Sequence, residues 1–206
     1  VEQFNKIYLP IAPDGVFSEI KARVITSTGK VIELPQEKIL EEEEEGRSYK
    51  KFALEGVETG SEIEYITVQQ KGLYFFGLEV FQYAAPCQLA EFRLETPAHL
   101  VFDVKGYNGF VLEKDSVVND TRISKGSSAN IAMPENEKYA QPVAFLTNIQ
   151  YKLSYNLSKE KNVRLFTWNQ LAQNVFATYN TMEEKEMKAV SNYVKSMKIA
   201  ATASEE

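Results

Sequence analysis

Cys87 and His99 are the pair from which cysteine chemistry could be built, since the chain holds one cysteine and one histidine. A cysteine nucleophile needs an adjacent base to take its proton and a third group to orient that base. Cys87 follows Pro86 and His99 follows Pro97, so both fall near the starts of neighbouring strand-like stretches. The residues favour the plainer reading, a half-buried thiol and an ordinary edge histidine. A single cysteine allows no intrachain disulfide, and one cysteine with one histidine cannot supply the usual four-ligand zinc set.

Other chemistry-bearing patterns fare no better. The run Glu41 to Glu45 lacks the spaced oxygens and sharp glycine turn of a calcium loop, and reads as a solvated loop or exposed edge strand. Gly106 and Gly109 in "KGYNGF" and Gly126 in "SKGSS" match no phosphate-loop pattern and read as turns. Asn119 (N-D-T) and Asn156 (N-L-S) fit glycosylation acceptors, and Asp115–Val117 resembles a three-residue O-glycosylation acceptor; such short matches arise often by chance. "GLYFFGLEVFQYAAP" places Tyr74, Phe75, Phe76, Phe81 and Tyr83 within ten residues, read as core in preference to a ligand platform. The sequence therefore predicts no catalytic, cofactor-binding or metal-binding residue and no cofactor.

The elements that carry these residues alternate with the period of a strand. Ile20, Ala22 and Val24 alternate with Glu19, Lys21 and Arg23, and "STGK" then turns into "VIEL", predicting a hairpin over residues 18 to 34. Ile63, Tyr65 and Thr67 oppose Glu62 and Glu64, and Ala90, Phe92 and Leu94 oppose Glu91, Arg93 and Glu95. Ile149, Tyr151, Leu153 and Tyr155 alternate with Asn148, Gln150, Lys152 and Ser154. One buried and one wet face per strand favours antiparallel pairing, and two such sheets bury their inner faces together. Near Val163 the period changes. Thr167 with Gln170, and Thr181 with Glu184, fit capping boxes. Trp168, Leu171, Ala172, Val175, Phe176 and Tyr179 form one helical stripe, and Met187, Val190, Val194 and Met197 form the next. The expected fold is mainly β: an antiparallel β-sandwich over residues 1–160, then two C-terminal helices within 161–206. Trp168, Leu171, Val175 and Phe176 are expected to pack on the sandwich, and part of the second stripe is expected to stay exposed.

With 206 residues, the chain is long enough to bury roughly 70% of the surface of its unfolded form. A net charge of −6 disfavours nucleic-acid phosphates and anionic membrane surfaces as partners. No window approaches the roughly 18 apolar residues of a spanning helix, so no transmembrane segment is expected. The chain starts at Val1 and runs out in "ATASEE", so we expect a piece of a longer protein.

Several stretches, in order, resemble one family. They are "ARVITSTGKVIEL", "FALEGVETGSEIEYITV", "NIAMPENEKYAQPVAFLTNIQYKLSY" and "TWNQLAQNVFATYN". Together, from about Phe17 to Met197, they are similar to the uncharacterised β-rich domain that precedes a transglutaminase-like, papain-type core in exported bacterial proteins. The family's acidic Glu-Pro element is matched only approximately by Pro134 to Tyr139. The resemblance implies a non-catalytic N-terminal accessory domain, periplasmic, envelope-bound or secreted, with the downstream core of the same chain as partner. Cys87 does not match the family's catalytic cysteine, so no site residue carries over. The competing reading is an independent glycan- or peptide-binding module of the bacterial envelope, which an exposed aromatic cleft would favour.

Overall fold

The computed structural model describes residues 4–134, 142–159, 163–180 and 183–197. The chain is mainly β, with open antiparallel sheets and two C-terminal helices. It divides into two compact units, Val1–Tyr74 and Phe75–Glu206.

The first unit holds β1 (Lys6–Pro10), β2 (Val16–Ile25), β3 (Val31–Glu33), β4 (Leu40–Glu44), β5 (Arg47–Ala53) and β6 (Glu62–Gln70). They form two three-stranded sheets, β1-β5-β4 and β3-β2-β6. The alternation in β2 turns Ile20, Ala22 and Val24 inward, where they meet Phe52 and Leu54 of the other layer. The expected hairpin forms, with Ile25 opposite Val31 and Val24 opposite Ile32. The glutamate run is the edge strand β4, fully exposed, with Glu41 and Glu42 each 2.7 Å from Lys50 and Lys51 on β5.

Glu45 and Gly46 join β4 to β5 with φ of 51° and 75°, and Glu44 faces Arg47 across the ladder. Two positive φ values in a two-residue loop are the signature of a turn that favours Asn-Gly, because asparagine tolerates the left-handed region better than glutamate. Glu45→Asn should therefore stabilise this unit by about 0.5–1 kcal/mol. A rise in the urea midpoint at unchanged slope is the expected reading, and a fall would contradict the turn assignment.

The second unit holds β7 (Phe76–Val80), β8 (Cys87–Pro97), β9 (Leu100–Tyr107), β10 (Val111–Leu112), β11 (Ser116–Val118), β12 (Thr121–Ile131), α1 (Pro142–Phe145), β13 (Asn148–Asn156), α2 (Trp168–Asn180) and α3 (Glu184–Ser196). One sheet is built on β12, which pairs with β8 along one edge and with β10 and β11 along the other. The second sheet has the order β7-β13-β9. Ala90 of β8, Ile131 of β12, Ile149 of β13 and Phe110 meet between the layers, and Phe81 stacks on Phe110 at 4.8 Å. Each core thus draws on its own unit. The strand-to-helix change expected near residue 160 comes after β13, whereas packing divides the chain after Tyr74.

The helices differ from expectation in what they bury. Thr167 and Gln170 do form the reciprocal capping box, at 2.9 and 3.3 Å. The second box is formed by Glu183 and Glu186, two residues after the expected Thr181–Glu184 pair; Thr181 lies outside the described residues. Neither α2 nor α3 has a buried residue. Trp168, Leu171, Val175 and Phe176 were expected on a sheet but are exposed, Phe176 at 69%. Their periodicity makes an amphipathic helix, but periodicity alone does not say which surface covers it. The α3 stripe of Met187, Val190, Val194 and Met197 is exposed throughout.

Candidate functional site

Cys87 and His99 are not brought together. Cys87 opens β8, packs beside the second core, and donates its Sγ–H to the Leu89 carbonyl at 3.3 Å. His99 lies in the turn beyond the far end of β8, where its carbonyl accepts the Leu157 N–H at 2.8 Å. An extended strand of that length, at about 3.3 Å per residue, sets them roughly 30 Å apart. No proton passes between groups so placed. Of the three glycines read as turns, Gly109 is in one, with φ of 91°, but Gly106 and Gly126 lie inside β9 and β12. Asp115 is engaged by Arg122 and by the Ser124 hydroxyl at 2.6 Å. Asn119 occupies the β11–β12 hairpin with φ of 48°, and the Asn156 side chain accepts the Ser158 N–H at 3.2 Å. Among the described residues, no group of three His, Cys, Asp or Glu is placed to hold a metal ion.

A concave surface instead forms on the outer face of the β7-β13-β9 sheet. In β13, Ile149, Tyr151 and Leu153 turn inward, so Gln150 and Lys152 turn out. Leu78 and Phe76 stand opposite them on β7, and Lys105 and Asp103 on β9, with Tyr107 further along that strand. Gly77, facing the inner layer, makes room for the Tyr151 ring: a Cβ there would lie 1.9 Å from the ring's Cζ. Tyr151 donates its hydroxyl proton to Glu79 at 3.3 Å. Burial first, and the Glu79 carboxylate second, hold that hydroxyl above the ordinary tyrosine range.

One end of the concavity is walled by the chain beyond β13. Ser154 is an extra residue in the ladder, because Leu153 pairs with Phe102 and Tyr155 with the next residue, Val101. A one-residue bulge moves the later residues of its strand to the other face. Tyr155, expected inside, therefore sits on the outer face, where its hydroxyl accepts an N–H of Arg164 at 3.3 Å and its ring lies 5.6 Å from the guanidinium. Arg164 also pairs with Asp103, and the Leu165 N–H donates to the Ser154 carbonyl at 2.8 Å. Phe166 takes φ of 54°, a left-handed conformation costing about 1–2 kcal/mol in a non-glycine residue. That turn sets its ring 4.8 Å from Phe76 and 5.8 Å from Phe75. Thr167 and Trp168 complete the wall of a cleft of about 970 Å³, with Trp168 85% exposed at its rim. Among the described residues, Lys105 and Lys152 on the floor form no ion pair.

Sequence reasoning placed the aromatic stretch in the core, and only Phe81 is there. Tyr74, Phe75, Phe76 and Tyr83 are exposed. Phe75, just before β7, and Phe76, its first residue, pack on the Phe166 ring in place of the core.

Comparison with known proteins agrees with this architecture. A putative protease from Parabacteroides distasonis ATCC 8503 has a similar fold, with a TM-score of 0.62 at 12% sequence identity. The alignment covers 73% of this chain, which spans 33% of that protein. Among curated proteins none matches. The family model described as "Domain of Unknown Function with solved-structure structure" matches residues 1–135, a shorter span than the expected resemblance from Phe17 to Met197. The chain belongs to the DUF3857 family.

Proposed function

We propose that this chain is a non-catalytic accessory domain of a larger bacterial transglutaminase-like or cysteine-protease-like protein. In this reading it positions or shields a hydrolase core located beyond residue 206, and the protein works in the cell envelope or outside the cell. The observation that carries the reading is the pair of uncovered apolar stripes, Leu171, Val175 and Phe176 on α2 and Met187, Val190, Val194 and Met197 on α3. Contiguous exposed apolar surface of this kind marks an interface. The family, and the fold shared with part of a longer putative protease, are consistent with such a partner within the same chain.

Catalysis is assigned to the core because Cys87 opens β8 while the chain's one histidine lies beyond the far end of that strand, too far to act as its base. The test is turnover of peptide and amide substrates by residues 1–206. No hydrolysis above background is expected. Turnover that disappears in Cys87→Ala would place the nucleophile in this chain and overturn the reading.

A further inference from the structure

From the cleft on the outer face of the β7-β13-β9 sheet, we infer a binding site for a carboxylate-bearing glycan. The inference goes beyond the accessory reading and does not rest on it.

Three observations favour this occupant. The first is the kind of recognition the floor permits. It is the face of a sheet whose backbone donors and acceptors are used in the ladders on both sides of β13. An extended peptide laid there would leave its own amides without main-chain partners, and unpaired polar groups are costly. A sugar ring does not need them: its C–H face stacks on aromatic rings and its hydroxyls bond to side chains. The second is the supply of such rings, Phe76 and Tyr107 on the floor and Trp168 at the rim, with the Gln150 amide between the two edge strands. The third is charge. Although the chain carries −6 overall, Lys105 and Lys152 form no ion pair among the described residues, and the cleft's Asp103 is already neutralised by Arg164. Two uncommitted ammonium groups beside stacking rings select an anionic sugar over a neutral one. A volume of about 970 Å³ is at the upper end of the 300–1,000 Å³ typical of ligand sites, room for several sugar units.

Trp168 is the chain's single tryptophan, so its fluorescence reads the cleft directly. Titration of residues 1–206 with tetragalacturonate should give a saturable change in emission that weakens as salt screens the lysines. Neutral maltotetraose should bind at least about tenfold more weakly. By calorimetry, Trp168→Ala and the double variant Lys105→Gln/Lys152→Gln should each lose at least about tenfold in affinity. Both alter exterior side chains, and unchanged circular dichroism verifies the fold. Lys114→Gln, between β10 and β11 in the other sheet, should bind as the parent does. The inference is overturned by absence of saturable binding, by equal affinity for maltotetraose, or by variants that bind unchanged. Tighter binding of a tetraglutamate peptide would also overturn it and make the face a peptide site.

Discussion

Ile149→Ala should cost the second unit about 2–5 kcal/mol, a large part of the 5–15 kcal/mol by which a domain is ordinarily stable. Ile149 has no exposed surface and lies on the central strand of β7-β13-β9, facing Ala90, Phe110 and Ile131. Alanine removes transfer energy and leaves a cavity between the layers beside Ala90, Phe110 and Ile131, on a strand held in place by a ladder on either side. Ile149→Val keeps most of the volume and should cost about 0.5–1.5 kcal/mol. Urea unfolding checks both, and equal losses in the two variants would mean that volume at this position is not what stabilises the sheet. The site would feel the loss as well, because Gln150 and Lys152 are held outward by the inward anchoring of Ile149, Tyr151 and Leu153.

Gly126→Ala comes next in expected effect, and here two effects oppose each other. Replacing a strand glycine normally helps by restricting the unfolded chain, by about 0.4–1 kcal/mol. At Gly126 the new Cβ would lie 2.4 Å from the Val111 carbonyl oxygen and 3.0 Å from the Leu112 Cα. Both are backbone atoms of β10, which pairs with β12 at this point, so no side-chain rotation relieves the clash. The strand must move, and Phe110, buried in the core just before β10, moves with it. Overpacking of this kind costs about 1–3 kcal/mol and outweighs the entropic gain. We expect net destabilisation in urea and faster hydrogen exchange in β10. A stabilised variant would show that β10 is free to shift outward.

The two results share a cause in how the sequence encodes this fold. Alternation in β2, β8 and β13 named the inward residues correctly wherever a strand ran unbroken, as at Ile20, Ala22 and Val24 or Ala90 and Phe92. The first hairpin and the Thr167–Gln170 cap were legible because both depend on residues close in sequence. What alternation cannot carry is an added residue: Ser154 keeps its place in the string but moves Tyr155 to the opposite face. Nor does it carry long-range pairing. That β8 turns away from its neighbour β9 to pair with β12 is decided by which surfaces fit. The cleft was missed for that reason. Its rings come from β7, β9 and the start of α2, which are far apart in sequence, and its charges read locally as ordinary solvated lysines.

Hydrogen exchange across residues 168–197 tests the accessory reading most directly, measured in residues 1–206 alone and in a chain that also carries the proposed downstream core. In the shorter chain the amides of α2 and α3 rest on helices with no buried residue and should exchange fast. If a downstream core covers Leu171, Val175 and Phe176 together with Met187, Val190, Val194 and Met197, exchange there should slow by at least about tenfold, or roughly 1.4 kcal/mol of added protection. Equal rates in the two proteins would leave the stripes uncovered with the core present, and would contradict the account.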